Sequence, residues 1–240
     1  MAGGKGTRLA SLKGNINKHA LPVYDRPMIE YPIRTLVEGG VTEILVLLNW
    51  RNPEAILEIL EESNRFGCEI YYRYIKEVDG PGRQLWLAEK WVRNENFVLM
   101  LGDSLYLHPL QFDDVQAPHI WTMPLNGLDD PSKYGQVTVA GNRVLTLVDK
   151  PKDQVSDLIQ TATWVLPPDA FEKARVLEQT VQGEVHIGML AEEYVREGRM
   201  THTSLPAGSY LDLGTPEALY KAAELVRGMP WQMPASTLVK

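Results

Sequence analysis

The sequence predicts an α/β fold, a Rossmann-like, doubly wound and mainly parallel sheet with a second lobe fused to it. Three observations lead there. Short continuous apolar runs alternate with amphipathic segments in the first part of the chain, as strands buried on both faces alternate with helices. Glycines are concentrated at the N-terminus, in Ala2-Gly3-Gly4-Lys5-Gly6-Thr7-Arg8-Leu9. Gly102 and Asp103 directly follow one apolar run, at the carboxyl end of a strand, where open α/β sheets place their ligands.

The elements follow in order. Residues 44–48 form the first continuous apolar run and predict a buried strand. Pro53 suits the opening of a helix, after which Ile56, Ile59 and Leu60 fall on one face while Glu58, Glu61 and Glu62 fall on the other. Glu69–Ile75 predicts a strand, 85–92 a helix and 97–101 another buried strand. Beyond that point the character changes. Residues 136–139 and 144–148 flank Ala140-Gly141-Asn142 as a hairpin. Amphipathic helices over 187–197 and 216–226, with intervening strands, complete the second lobe. There is no internal repeat, low-complexity tract or Gly/Ser linker. One domain is therefore expected over 1–228, divided near residue 115 into lobes of 1–115 and 116–228, with 229–240 as a tail.

Composition narrows the partners. The formal charge of −7 carries no basic run, which argues against a general nucleic-acid binder. The single cysteine, Cys68, cannot close an internal disulfide and lies in an apolar run, so it reads as packing rather than nucleophile. No apolar stretch approaches the ~20 residues that cross a bilayer, and no signal peptide is visible, so a cytoplasmic protein is expected. The histidines, His19 and His186 among them, are scattered without ligand spacing, and no Cys/His cluster suggests zinc.

The glycine segment carries chemistry. Gly3, Gly4 and Gly6 permit backbone conformations closed to other residues and let N–H groups approach a ligand. Lys5 and Arg8 add positive charge, and a guanidinium grips phosphate oxygens with paired hydrogen bonds. A nucleoside triphosphate is the natural ligand. The segment lacks the GxGxxG spacing of a dinucleotide fold, which sets aside a NAD-dependent dehydrogenase.

Gly6-Thr7-Arg8-Leu9 is followed by Asn17-Lys18-His19-Ala20-Leu21-Pro22-Val23-Tyr24-Asp25-Arg26-Pro27-Met28-Ile29. Leu101-Gly102-Asp103, Tyr134-Gly135, Asp149-Lys150-Pro151 and Tyr210-Leu211-Asp212-Leu213-Gly214-Thr215-Pro216 come later in the same order. Together these resemble the sugar nucleotidyltransferases, closest to the short glucose-1-phosphate thymidylyltransferases, over almost the whole chain. The resemblance implies transfer of a nucleotidyl group from a nucleoside triphosphate, dTTP favoured, to a sugar 1-phosphate, glucose 1-phosphate favoured, with release of pyrophosphate. UTP is the alternative nucleotide, and a catalytically silent, ligand-sensing paralogue is the alternative class.

Residue roles follow from the same resemblance. Arg8 and Lys18 are the implied catalytic cations. Gly3, Gly4, Gly6, Thr7, Gly80, Gln84 and Gly102 would contact the nucleotide. Tyr134, Gly135, Asp149 and Lys150 would hold the sugar phosphate, and Asp103 and Asp212 would share one Mg²⁺. Glu184 is a further sugar-contact candidate. A homo-oligomer is left open, and no membrane or nucleic-acid partner is expected.

Five features depart from the family pattern, one of them Tyr210, which stands where relatives often show tryptophan. The family places an apolar strand ahead of its glycine loop, whereas only Met1 precedes Ala2, so that first strand is expected to be missing and the sequence shortened. Asp149 stands for a usual glutamate, and His19 for a usual glutamine. Where a glutamine pairs with the base, ungapped alignment puts Arg83, which offers only donors; a pyrimidine edge needs donor and acceptor, so Gln84 is expected to serve instead.

Overall fold

The computed structural model describes residues 1–3, 7–9, 16–61, 63–76, 84–126, 128, 130–183 and 185–229. It divides into two compact units that are discontinuous in sequence. One comprises 1–78, 101–113 and 211–240, the other 79–100 and 114–210. The boundary is thus not a single crossing near 115. The last helix groups with the N-terminal segment, and 79–100 groups with the middle of the chain.

In the first unit the strands Glu43–Asn49 and Glu69–Ile75 pair in parallel, register Glu43 with Glu69 through Asn49 with Ile75. The connecting helix is Glu54–Leu60, entered at Pro53, with Ile56 and Leu60 buried. Cys68 packs against the core these residues share with Ile29, Ile33 and Phe66. Burial pushes its thiol up to about 11, so it is packing, not a nucleophile. The residues before the glycine segment bond to this sheet. Ala2 forms an isolated parallel bridge with Leu48, and its N–H donates to Leu47 O at 2.9 Å. Met1 O accepts from Gly102 N at 2.9 Å. Met1 and Ala2 are thus tied by backbone hydrogen bonds to Gly102 and to the strand Glu43–Asn49.

A second apolar core of this unit gathers Leu9, Leu21, Val23, Met28, Tyr31, Leu105, Leu213 and Leu219. Its helix Pro216–Val226 is capped by Thr215, whose side chain accepts from Ala218 N, and Pro216 occupies the first turn, where its missing N–H costs nothing. The helix Glu30–Glu38 tolerates Pro32 for the same reason.

The second unit is built on a six-stranded sheet centred on Leu158–Leu166 and His119–Pro124. Here the pairing is mostly antiparallel. Leu158–Leu166 runs antiparallel to Phe97–Met100, His119–Pro124 and Gln136–Ala140, while Thr201–Ser204 runs parallel to His119–Pro124. The parallel order expected mainly of the first part of the chain holds for the first unit's strand pair, whereas Phe97–Met100 pairs antiparallel, within a mixed α/β fold. The hairpin Gln136–Ala140 to Arg143–Val148 turns at Gly141, whose φ of 59° favours glycine. Helices Ala170–Thr180 and Ile187–Arg196 cover the sheet, with Phe171 stacked on Phe97 at 5.0 Å. His119 and His202 are packed here, bonded to Thr201 and Thr122.

Candidate active site

In the first unit, Asn17 organises the turn that carries Lys18. Its Oδ1 accepts from His19 N at 3.1 Å and pairs with His19 Nδ1 at 2.7 Å, while Nδ2 donates to Ala2 O at 3.1 Å. Asn17 therefore caps the turn Lys18–Ala20 and ties it to the start of the glycine segment. The hairpin Pro22–Val23 to Arg26–Pro27 then sends the chain back, with Ile29 N donating to His19 O at 2.9 Å. Lys18 emerges from this frame and its Nζ lies 2.5 Å from Asp103 Oδ2, both side chains largely buried. Burial alone would raise the Asp103 carboxyl, but the Lys18 charge and hydrogen bond overcome it and hold it at about 2.

Gly102 must be glycine for this approach. A Cβ there would fall 2.9 Å from His19 Cδ2 and 2.9 Å from Met1 O. His19 is fully buried, and burial, then the neighbouring Lys18 charge, lowers it to about 3, so the ring is neutral. The sequence marks His19 as a histidine without ligand spacing; the structure buries it next to Gly102, which precedes the expected metal aspartate.

Asp103 precedes the strand Ser104–Tyr106, which pairs with Tyr210–Asp212, whose Leu211 and Asp212 belong to the same unit. Leu213 N donates to Asp103 O at 2.8 Å, so strand pairing brings the two aspartates to one edge. Burial and the Asp103 charge push the Asp212 carboxyl up, with Arg8 opposing them. Arg8 Nη2 stands 3.8 Å from Asp212 Oδ2, half exposed. Gly214 gives room to that guanidinium, since a Cβ at this position would lie 2.5 Å from Arg8 Nη2. Gly3 is buried at the head of the segment and Thr7 begins the turn Thr7–Leu9. Gly4, Gly6, Gly80, Arg83 and Glu184 lie outside the described residues. Four sequence-derived residues, Arg8, Lys18, Asp103 and Asp212, are thus brought together as two linked cation–carboxylate pairs.

The second unit assembles the remaining candidates. Tyr134 and Gly135 follow the turn Pro131–Lys133, and Tyr134 meets Tyr210 edge-on at 6.4 Å. Gly135 O accepts from Gln160 N at 2.8 Å. Asp149 N donates to Glu192 Oε1 at 3.4 Å, and burial, together with the Asp149 charge, raises the Glu192 carboxyl. Lys150 is exposed at a left-handed φ of 47°, a conformation that costs a non-glycine residue about 1–2 kcal/mol. Such a backbone outlier is a reason to look for a role. Gln84 is buried at the start of the turn Leu85–Ala88 in this same unit. Sequence reasoning missed Asn17, Glu192 and Gln160.

The first unit thus brings two cation–carboxylate pairs together beside Gly102, a grouping of charge that suits the handling of polyphosphates. Residues 1–228 match the nucleotidyl transferase family, to which this chain belongs. Within it the chain is a sugar-1-phosphate nucleotidyltransferase. A glucose-1-phosphate thymidylyltransferase of Neisseria meningitidis is 31% identical over 234 residues, spanning 95% of this chain and 81% of that protein. A Bacillus anthracis structure assigned to the same activity, solved with a sucrose, superposes with a TM-score of 0.85 at 23% identity, over 96% of this chain and 95% of that one. Apo-UDP-glucose pyrophosphorylase superposes with a TM-score of 0.78 at 22% identity, over 94% and 96%. At these identities the two structures speak for the fold.

Proposed function

We propose that the chain joins dTTP to glucose 1-phosphate, with UTP as the alternative nucleotide, releasing pyrophosphate. The observation that carries this reading is the meeting of Lys18, Arg8, Asp103 and Asp212 beside Gly102 in one unit. The Neisseria relative's activity supports the choice of substrates. The reaction lines up a sugar-phosphate oxygen with the α-phosphorus while pyrophosphate departs. Protein cations must offset the repulsion of two polyanions and the charge that builds on the leaving group. Lys18 and Arg8 do this, and no covalent intermediate is needed.

Asp103 and Asp212 would hold Mg²⁺. Their oxygens are hard donors, and the upward push of Asp103 on Asp212 marks two like charges that a divalent cation neutralises. Among the described residues no further histidine, cysteine or carboxylate joins them, and phosphate oxygens and water would be the remaining donors. Once bound, the ion supplies charge neutralisation on the phosphates. Gly3 and Gly102 let the backbone approach the nucleotide, and Gln84 reads the base. Tyr134, Gly135, Asp149 and Lys150 hold the sugar phosphate, Lys150 as the cation for its phosphate. Among the described residues no helix is long and apolar enough to cross a membrane. We place the enzyme in the cytoplasm, a reading supported by its single cysteine.

A pyrophosphate-release assay over the nucleoside triphosphates and several sugar 1-phosphates tests the reading. dTTP or UTP with glucose 1-phosphate is expected to give the highest kcat/KM; a purine nucleotide in first place would contradict it. Lys150→Ala is expected to raise KM for the sugar phosphate about 10-fold or more, the worth of one charge-assisted hydrogen bond, with the nucleotide KM changed less than about threefold. Equal rises in both would mean that Lys150 does not address the acceptor.

A further inference from the structure

The strand Glu69–Ile75 is one member of the first unit's parallel pair, and among the described residues no strand pairs with its other edge. Glu69 N donates to Thr42 O at 2.8 Å, and Ile75 O accepts from Trp50 N at 3.1 Å. Positions 69, 71, 73 and 75 therefore turn their peptide groups toward Glu43–Asn49. Those of Ile70, Tyr72 and Tyr74 point the opposite way, along the open edge. Proteins blunt such an edge with proline, lysine or a bulge. This strand carries none of them, and its register runs unbroken over seven residues.

Both faces of the strand have side chains left for a partner. On one face Glu69, Tyr71 and Arg73 are exposed, and Tyr71 Oη donates to Glu69 Oε2 at 2.5 Å. On the other, half-buried Ile70 and Tyr72 line a groove with Leu57 and Leu60 of the helix Glu54–Leu60, with exposed Glu58 and Glu61 at its margin. Tyr71 is 40% exposed and Tyr74 51%, and aromatic side chains are what interfaces tend to bury.

Charge decides what that partner is. An antiparallel copy of the same strand, centred on Tyr71, sets Glu69 opposite the partner's Arg73 and Arg73 opposite the partner's Glu69. One contact thus yields two attractive cross-strand pairs. The same register faces Ile70 with the partner's Tyr72. Both turn their peptide groups to the open edge, so they can exchange N–H···O=C bonds. It also carries the partner's Ile70 and Tyr72 over the apolar groove. Centring the pairing on Tyr72 instead leaves Glu69 opposite Ile75 and pairs no charges.

We propose that a second copy of this chain docks on the Glu69–Ile75 edge, strand against antiparallel strand, with the two-fold axis at Tyr71. The contact is isologous, so it closes as a dimer and uses up both open edges.

Sedimentation velocity of the full chain over a dilution series is expected to show a monomer–dimer equilibrium. Arg73→Glu sets like charges opposite each other twice and is expected to raise the dimer Kd about 10-fold or more. Glu69→Arg is expected to do the same, and the two changes together to return Kd to within about threefold of the parent. A second readout depends on neither reversal. At the two-fold axis Tyr71 meets its own counterpart in a non-hydrogen-bonded pair, with Cα atoms about 4.5 Å apart, within the span of a disulfide. In a Cys68→Ala background, Tyr71→Cys is expected to give a disulfide-linked dimer on mild oxidation, and Arg73→Cys is not. A chain that stays monomeric throughout, or a dimer indifferent to both reversals, overturns the proposal. So does a double reversal no tighter than the single ones, or equal cross-linking from positions 71 and 73.

Discussion

Asp103→Asn is expected to lower kcat by about 10²-fold or more, at least ~2.7 kcal/mol of transition-state stabilisation, while leaving the fold close to that of the parent. Asparagine is the informative choice because Asp103 Oδ2 stands 2.5 Å from Lys18 Nζ and both side chains are largely buried. An amide oxygen can still accept from the ammonium, so the loss reports the carboxylate's charge toward the proposed metal and the phosphates. Asp103→Ala removes both, and stranding a buried ammonium costs about 3–5 kcal/mol of stability in its own right. Steady-state kinetics with a thermal melt of each variant separates the two effects. A kcat for Asp103→Asn within threefold of the parent would remove Asp103 from the metal site.

Lys18→Met is expected to cost about 10²- to 10³-fold in kcat, the range for losing one preorganised charge-stabilising group. It also has a signature in acid. In the parent the Asp103 carboxyl is held at about 2, below the ~3.9 of an unfolded aspartate. That shift stabilises the fold above the unfolded value, and the contribution disappears as pH falls through 2. Without Lys18, burial is opposed only by weaker neighbours and the carboxyl moves up. Its ionisation then works against folding, so the variant's stability falls as pH rises through the raised value. Denaturant melts of parent and variant between pH 3 and pH 7 check the sign; parallel curves would mean that Lys18 does not set the charge of Asp103.

Most local elements were legible because their signals are local. Glu69–Ile75 and Pro216–Val226 form over the residues expected, and Pro53 opens its helix. The helix Glu30–Glu38 went unread because Pro32 looks like a breaker, although in the first turn it is harmless. Strand direction was less legible. Leu158–Leu166 is buried on both faces, as parallel strands are, yet pairs antiparallel with three neighbours. Continuous apolarity reports burial on both faces, not the direction of the partner. The return of 211–228 to the N-terminal segment is a long-range packing outcome with no local marker.

For the site, the motifs gave Arg8, Lys18, Asp103 and Asp212, and the structure adds how they are held. Asn17 bonds to Ala2 and His19, and Leu213 bonds to Asp103, through contacts no spacing reveals. Gln160 shows the same limit. Its side chain comes to lie over Gly135 and beside Gly188 only once segments far apart in sequence are folded together.

The most direct measurement follows the α-phosphate. With dTTP radiolabelled at that position, glucose 1-phosphate and Mg²⁺, the label is expected to appear in a nucleotide-sugar in step with unlabelled pyrophosphate. In Asp103→Asn and Lys18→Met both should fall together. Label that remains in dTTP, or that collects in a free nucleotide without sugar attached, would contradict nucleotidyl transfer at this site.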